Sequence, residues 1–248
     1  MASKEELMSF YANYYDKGNF GSLDYKNRVR NKITTIQNGN HSLSKKEKSI
    51  LTYAPKGNFL DLGFGLGEEL ALFSQLGFSV FGTEFDQDCI QFIQPILPNA
   101  TLFQGDLLET GYPDNFFDVI HMYHVIEHLL DPNAYIRELN RILKPGGILI
   151  IGTPDIGSAA YKIFRLLNFI TLRVPLIVDG LEHTVIFNQK NLSDLIKKND
   201  FDVLDHYSES VGDSFSNIWS SNLSLKKKIV RYLQTFVKIN QVIIAKKN

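Results

Sequence analysis

The stretch Phe59–Gly67, FLDLGFGLG, decides the fold of this chain. A short apolar run containing Asp61 passes directly into glycines at alternate positions, Gly63, Gly65 and Gly67. Glycine is needed where the backbone bends sharply or where a ligand approaches it more closely than a Cβ atom permits. A helix that begins after such a turn presents free N–H groups to an anion. The stretch therefore predicts a buried strand, a ligand-binding turn and the start of a helix.

Beyond residue 58, short apolar runs alternate with helix-length segments, which is typical of a parallel sheet with crossover helices. The predicted strands are Asn58–Leu62, Ser79–Thr83, Thr101–Gln104, Phe117–Met122, Ile148–Gly152, Asp202–Tyr207 and Gln241–Ala245. The predicted helices include Glu68–Leu76, Gln87–Ile96, Pro132–Leu143 and Asn191–Asn199. The KPGG run at Lys144–Gly147 predicts a helix stop followed by a turn. The pattern as a whole indicates an α/β fold.

Acidic residues accompany the next predicted strands. Glu84 stands about 20 residues after the glycine turn, where a carboxylate can accept hydrogen bonds from ribose hydroxyls. Asp106 follows the third strand and could accept from an exocyclic adenine amine, and Asp118 belongs to the fourth strand. Because ligands of open α/β sheets bind in the crevice at the carboxyl ends of the strands, we expect these groups to converge there on a nucleoside.

The chain resembles class I S-adenosylmethionine-dependent methyltransferases, most closely the branch that holds the ubiquinone-biosynthesis O-methyltransferases. The resemblance rests on the segments DLGFGLG, GTEFD, QGDL, FFDVIHMYHVIEHLLDP and RILKPGGILIIGTPD, within residues 58–155, and continues over 183–201. It implies a Rossmann-like sheet of seven mostly parallel strands with an antiparallel last strand. It further implies helices on both faces of that sheet and an N-terminal helical cap.

The resemblance also implies roles for the residues around the crevice. The glycines of the turn would hold the methionine end of S-adenosylmethionine, Glu84 its ribose and Asp106 its adenine. Other expected contacts are Phe85 and Leu107 at the adenine ring and Tyr123 beside the methionine part. Asp61 either ties the glycine turn or contacts the cofactor directly. Arg28 could pair with the methionine carboxylate, or it lies on a solvated helix face.

The run His124–His128, HVIEH, spells H-x-x-E-H, a spacing known from zinc metalloproteases. Two histidines four residues apart on a helix could bind one ion. The run follows a strand of the predicted cofactor-binding sheet, however, and the family that the chain resembles commonly carries a similar HVLEHL. We therefore predict no metal centre, although Glu127, His128 and Asp131 could contribute ligands to a divalent ion.

A hydroxyl acceptor is a poor nucleophile until it loses its proton, and histidine is the side chain best suited to accept it near neutral pH. The candidate bases are His183, His128 and His124. His183 follows the fifth strand, where the family builds its acceptor pocket. The alternatives are that His124 is a packed residue at a helix start and that His128 pairs with a carboxylate or caps a helix.

Composition limits the partners of the chain. Its 248 residues carry 26 basic and 27 acidic side chains, a formal net charge of −1, so no global field attracts nucleic acid. Cys89 is the single cysteine, which excludes an internal disulfide and a multi-cysteine zinc site. The polar amino terminus is unlike a signal peptide, and no apolar run reaches the ~18–20 residues that cross a bilayer. These features predict a cytoplasmic protein.

We expect transfer of a methyl group from S-adenosylmethionine to an oxygen of a small molecule, with a glycan or glycan precursor preferred. Residues 1–57 would form the helical cap, with an aromatic lid near its start, and 58–248 the methyltransferase domain. Insertions at about 154–190 and 208–240 would build the acceptor side. A basic helical stretch at 225–238 could touch a membrane surface, which would suit a lipid-linked acceptor. The alternatives are N-methylation, cofactor binding without turnover and nicotinamide-dependent oxidoreduction.

Overall fold

The computed structural model of the protein describes residues 23–54, 56–159, 161–162, 184–210 and 238–248. Its strands are β1 (Asn58–Leu62), β2 (Ser79–Glu84), β3 (Thr101–Gln104), β4 (Phe117–Tyr123), β5 (Leu143–Pro154), β6 (Phe201–Ser210) and β7 (Lys238–Lys247). The flanking helices are α1 (Leu23–Gln37), α2 (Lys45–Tyr53), α3 (Glu68–Gln75), α4 (Gln87–Ile93), α5 (Pro132–Ile142) and α6 (Gln189–Lys198). Short 3₁₀ turns cover Leu107–Glu109 and Ile126–His128.

The strands form one seven-stranded sheet in the order β3-β2-β1-β4-β5-β7-β6. β1 to β5 pair in parallel, whereas β7 runs antiparallel to both β5 and β6. The Rossmann-like arrangement with a reversed last strand is thereby confirmed. The strand order changes direction between β1 and β4, and such a switch point opens a crevice at the carboxyl ends of the strands.

Successive side chains of the central strands point to opposite faces of the sheet and fill a hydrophobic core on each face. Phe59 of β1 is fully buried among residues of α1 to α4, and its ring stacks on that of Phe73 with centroids 4.0 Å apart. The next residue, Leu60, is equally buried on the opposite face with residues of α5 and α6. Strands buried on both faces are expected in a parallel sheet, and the helices hold the carboxyl ends of the strands in place.

The interpretation of Lys144–Gly147 as a turn was wrong in part. Helix α5 does end at Ile142, but β5 begins at the next residue and runs through the KPGG segment. The extra residues form an irregularity in the ladder, because Phe117 pairs with Leu143 and Val119 with Ile148. Gly146 there has φ +77°, a left-handed conformation that glycine adopts without strain.

The placement of Asp118 in the crevice was also wrong. Asp118 lies near the amino end of β4, at the edge of the sheet opposite to the crevice. Its carboxylate accepts from the backbone N–H of Asn58 at 2.7 Å and from Lys144 Nζ at 2.8 and 2.9 Å. The residue therefore ties neighbouring strands together, since only residues at strand carboxyl ends can reach the ligand.

Helices α1 and α2 share the core of the sheet. Val29 and Ile33 of α1 and Ile50 of α2 are buried in the same cluster as Phe59. The division of the chain at residue 57 stays a prediction. The predicted aromatic lid within residues 1–20 lies outside the described residues, as does all but the last position of the basic 225–238 stretch. In the part of the chain that the structure describes, no helix is long and apolar enough to cross a membrane.

Candidate functional site

The glycine turn connects β1 to α3 at the switch point of the sheet. Gly63, Gly65 and Gly67 have φ of +70°, +53° and +78°, which are left-handed conformations unfavourable for residues with a Cβ atom. The N–H of Gly63 donates to the Thr83 carbonyl at 2.9 Å. A Cβ atom at Gly67, the N-cap of α3, would lie 2.6 Å from Ile93. The alternate spacing of glycines is therefore required by the backbone path as well as by any ligand.

Glu84 at the end of β2 holds the glycine turn. Its Oε2 accepts from the Gly65 N–H at 2.8 Å, and its Oε1 accepts from Phe85 at 2.7 Å and Asp86 at 3.2 Å. Burial raises the pKa of the Glu84 carboxyl above its usual value, although these three N–H groups favour the ionised form. The carboxylate thus connects the end of β2 to the turn that follows β1. Its predicted contact with a ribose stays a prediction.

Asp106 follows β3 at the same edge of the sheet and is buried. Its Oδ1 accepts from the Leu108 N–H at 3.0 Å and from the Tyr135 hydroxyl at 2.6 Å. The side chain of Leu107 lies in the core at 1% exposure, whereas Phe85 is partly exposed at the crevice. The adenine contacts assigned to these residues stay predictions.

Asp61 belongs to a buried chain of charged groups that the sequence did not reveal. Its Oδ1 lies 2.8 Å from His121 Nδ1, on the neighbouring strand β4. His121 Nε2 lies 3.2 Å from Lys46 Nζ, which reaches the sheet from α2. Lys46 Nζ also donates to Glu69 Oε1 of α3 at 2.7 Å. This series of contacts connects helix α2 to the residues on both sides of the glycine turn.

The charged groups in this series of contacts change one another's pKa values. Burial opposes ionisation of Lys46, but Glu69 raises the Lys46 pKa above its usual value. Burial by itself would raise the Glu69 pKa, yet the charge of Lys46, with help from His121, lowers it to about 2. Burial raises the pKa of Asp61, and His121 opposes this effect. Glu69 and Lys46 therefore form an ionised pair behind the glycine turn.

The low pKa of Glu69 predicts a loss of stability in acid. The folded value of about 2 lies below the ordinary value of 4.5, so the contribution is complete above pH 4.5 and disappears as the pH falls toward 2. We expect this contribution to be on the order of 2–3 kcal/mol. The measurement is the difference in unfolding free energy between wild type and Glu69→Gln by urea titration at several pH values. A difference that stays constant from pH 6 to pH 3 would contradict the assignment.

The sequence contains a signal for the buried positions of Lys46 and Glu69, because both stand at positions where the helix is otherwise apolar. Lys46, Ile50 and Ala54 lie four residues apart and are all buried, so Lys46 occupies the apolar stripe of α2. Glu69 precedes the buried Phe73 by the same interval in α3. A charged residue at a stripe position is buried with a partner or faces a site, and pattern alone does not identify the partner.

Tyr123 ends β4 beside this chain of charges. Its ring stacks with His121 at a centroid distance of 5.7 Å, and Lys46 Nζ lies 5.1 Å from its centroid. Its hydroxyl donates to Glu209, and burial together with Glu209 raises the Tyr123 pKa well above its usual value. Arg28, by contrast, is exposed on α1, with its Nε 3.6 Å from Asp24. Their predicted contacts with the cofactor stay predictions.

His124, directly after β4, has a polar contact at each of its ring nitrogens. Its Nδ1 lies 3.1 Å from Glu127 Oε1, and its Nε2 lies 3.2 Å from the Asn240 amide nitrogen. This arrangement fits a neutral ring that donates through Nδ1 and accepts at Nε2. The backbone of His124 has φ +54°, and its N–H is held by the Gly152 carbonyl at 2.8 Å. Strained backbone at a non-glycine residue is found preferentially at functional sites.

Glu127 supports His124 from the protein interior. The carboxylate is 2% exposed, and Thr153 donates to its Oε2 at 2.9 Å. Burial disfavours the ionised form, but the hydrogen bond from His124, together with the positive charge of His124 and His128 when they are protonated, holds the Glu127 pKa below its usual value. The imidazole of His124 remains 44% exposed. A half-exposed ring oriented by a buried carboxylate has the geometry of a general base.

The H-x-x-E-H run does not form an α-helix. Ile126–His128 is a 3₁₀ turn, so the two histidines do not share a helical face. His128 is half-buried at the end of this turn. Among the described residues, no group of three His, Cys, Asp or Glu side chains is placed to hold a metal ion. His183 lies outside the described residues, and its neighbour Thr184 donates to the Glu127 carbonyl at 2.8 Å.

A cavity of about 640 Å³ opens beyond the carboxyl end of β5. The polar or charged residues that line it include Asp155, Ser158, Lys162, Asn188, Lys190 and Ser208. The N–H of Asp155 donates to the Ile239 carbonyl at 2.7 Å, next to the Asn240 that contacts His124. The size of the cavity suits a small molecule, and its polar lining suits a hydrophilic one.

Comparison with known proteins places the chain in a family. The model of a methyltransferase domain family matches residues 39–206, more than half of the chain. A probable S-adenosylmethionine-dependent methyltransferase from Mycolicibacterium smegmatis is 31% identical over 96 residues, 39% of this chain and 37% of that protein. A ubiquinone/menaquinone biosynthesis C-methyltransferase from a Shewanella species is 28% identical over 144 residues, 54% of this chain and 57% of that protein. The chain thus spans less than two thirds of either relative.

Solved structures share the fold. A crystal structure of an S-adenosylmethionine-dependent methyltransferase from Archaeoglobus fulgidus superposes with a TM-score of 0.59 at 18% identity. The match covers 90% of this chain and 98% of that one. A likeness at this identity concerns the fold alone, and the chemistry has to be argued from the site.

Proposed function

Because this chain belongs to the methyltransferase domain family that matches residues 39–206, we propose that it transfers the methyl group of S-adenosylmethionine to an oxygen of a small polar molecule. The observation that carries the choice of oxygen is the half-exposed imidazole of His124, oriented by the buried Glu127 carboxylate. A hydroxyl acceptor needs such a base, whereas a neutral amine does not.

The residues at the strand ends fit the cofactor. The left-handed glycines leave no side chains at the turn, and the partly buried Glu84 carboxylate lies at the end of β2, where a ribose contact is expected. We assign the methionine end to Gly63, Gly65 and Gly67, the ribose to Glu84 and the adenine side to Asp106. When bound, S-adenosylmethionine supplies a methyl group on a sulfonium centre, which is already a good leaving group.

The protein residues then have to orient the acceptor and take its proton. We assign proton acceptance to Nε2 of His124, with Glu127 holding Nδ1 so that Nε2 is the nitrogen able to accept. In the structure the Asn240 amide donates to Nε2, and the acceptor hydroxyl replaces that donor in our proposal. Thr153 fixes the second oxygen of Glu127. His128 and His183 remain the other candidates for this role.

The polar cavity beyond β5 supports a hydrophilic acceptor. Its lining of carboxylate, amide, hydroxyl and ammonium groups matches the hydroxyls of a sugar better than an aliphatic chain. A glycan or glycan precursor is therefore the acceptor class that we prefer. The cytoplasmic location that composition predicts, and the membrane contact considered for residues 225–238, stay predictions.

Two other functions are compatible with the same fold and would use His124 differently. N-methylation of a small molecule fits the same fold and would use His124 as a packing or orienting residue only. A protein that binds the cofactor without turnover would retain the glycine turn and Glu84 but have no need of an oriented imidazole. The C-methyltransferase among the relatives indicates that family membership does not decide the acceptor atom.

The test is incubation of the full chain with methyl-labelled S-adenosylmethionine and fractionated extract of its source, followed by mass spectrometry of labelled products. We expect label on a hydroxyl oxygen of a small hydrophilic molecule. Label on nitrogen or carbon would overturn the choice of oxygen. Tight cofactor binding without labelled product in any fraction would favour the non-catalytic alternative.

A further inference from the structure

One carboxylate oxygen of Glu69 is left without a hydrogen-bond donor by the described part of the chain. Oε1 accepts from Lys46 Nζ at 2.7 Å, but Oε2 is buried and has no hydrogen-bond donor among the described residues. An ionised oxygen without a donor costs free energy, and buried polar atoms in native proteins usually have partners. The unsatisfied atom therefore points to a donor that is not part of the described chain.

Among the described residues, the two cations near Glu69 already have partners other than Oε2. Lys46 is shared between Glu69 and His121, and Lys32 pairs with the adjacent Glu68. Burial alone would raise the Glu69 pKa, but the charge of Lys46 outweighs burial and lowers the pKa to about 2, so the carboxyl is ionised near neutral pH. The missing partner should therefore donate a hydrogen bond and should preferably be positive.

The position of Glu69 identifies the part of the ligand that can reach it. Glu69 is the second residue of α3 and stands two residues after Gly67 of the turn. Lys46 Nζ, which holds its carboxylate, lies 5.1 Å from the ring centroid of Tyr123 at the end of β4. The carboxylate thus lies beside the turn assigned to the methionine end of the cofactor. That end carries an ammonium with three N–H donors, whereas the sulfonium has none.

We propose that Oε2 of Glu69 binds the α-ammonium group of S-adenosylmethionine, and that Lys46 positions the Glu69 carboxylate through Oε1. The inference rests on the cofactor part of the proposed function and is independent of the acceptor and of His124. The product S-adenosylhomocysteine carries the same ammonium without the sulfonium charge. The contact should therefore serve both ligands equally.

The test is isothermal titration of wild type, Glu69→Gln and the matched control Glu68→Gln with three ligands. The ligands are S-adenosylmethionine, S-adenosylhomocysteine and 5′-methylthioadenosine, which lacks the amino-acid tail. We expect Glu69→Gln to weaken the first two by about 10- to 100-fold, as for loss of a charge-assisted hydrogen bond, and to leave the third within about twofold. Glu68→Gln should behave as wild type, because Glu68 pairs with Lys32 at the surface.

Three outcomes would overturn the proposal: unchanged affinity for all ligands, equal loss for all three, or a loss confined to S-adenosylmethionine. The last result would assign Glu69 to the sulfonium. If circular dichroism shows that Glu69→Gln does not fold, the proposal is tested instead by a crystal structure of the wild-type protein with S-adenosylhomocysteine. An amine nitrogen at hydrogen-bond distance from Oε2 supports the assignment, and an amine bound elsewhere removes it. Wild type that binds none of the ligands would instead refute the proposed function.

Discussion

Replacement of His124 by glutamine is expected to lower kcat for a hydroxyl acceptor by about 100- to 10,000-fold, the usual contribution of a general base. Glutamine keeps a polar side chain of similar length but cannot take up a proton near neutral pH. The affinity for S-adenosylmethionine should stay within about twofold, because our assignment places His124 on the acceptor side. The measurements are steady-state kinetics with the labelled cofactor and titration calorimetry.

Two further variants separate a base from a packing residue. Glu127→Gln should also lower kcat, since it removes the carboxylate that orients Nδ1, and it should alter the pH–rate profile. His41→Gln in the loop between α1 and α2 is the control and should leave kcat unchanged. A loss of less than about tenfold for His124→Gln, with the acid limb of the pH–rate profile unchanged, would favour an amine acceptor or another base.

Replacement of Glu84 by glutamine is expected to weaken S-adenosylmethionine binding by about 100-fold or more. The carboxylate accepts three backbone N–H groups, one of them from Gly65 in the turn. An amide would set an N–H group against one of these donors, leaving a backbone donor unpaired and displacing the turn. The ribose contact proposed for Glu84 would be weakened at the same time. Titration calorimetry measures the affinity.

The effect of Glu84→Gln on stability should be smaller than its effect on binding. Burial raises the pKa of Glu84, so the ionised side chain is costly in the folded protein at neutral pH, and its removal offsets part of the lost hydrogen bonding. Glu109→Gln, an exposed carboxylate that follows the next strand, is the matched control and should change neither property. Unchanged affinity in Glu84→Gln would refute the assignment of Glu84 to the cofactor.

Much of the candidate site could be predicted because it depends on short sequence motifs. The glycine turn and Glu84 stand at fixed distances from strand ends, and a parallel sheet brings those ends together. Asp118 shows where this reasoning was misapplied, because the second residue of a strand in a parallel sheet lies at the amino edge and not at the edge where ligands bind. The same holds for the KPGG segment, whose turn residues became part of a strand through pairing with β4.

The orientation of His124 and the environment of Glu69 could not be predicted in this way. The partners of His124 come from residues 127 and 240, and those of Glu69 come from α2 and indirectly from β4. Apart from the local His124–Glu127 pair, these contacts join segments separated by tens of residues. Strand register decides some of them, since Asp61 meets His121 only because β1 and β4 pair at that step. Periodicity describes which face a residue occupies and not which residue it meets.

By itself, then, the sequence determined the alternation of strands and helices, the glycine turn and the carboxylate after β2, because these depend on backbone conformation and on burial within single elements. Only the tertiary structure decided which side chains share a proton or a charge. The His124–Asn240 contact and the Lys46–Glu69 pair exist because packing of separate elements brings polar groups within hydrogen-bond distance and removes the water that would otherwise solvate them.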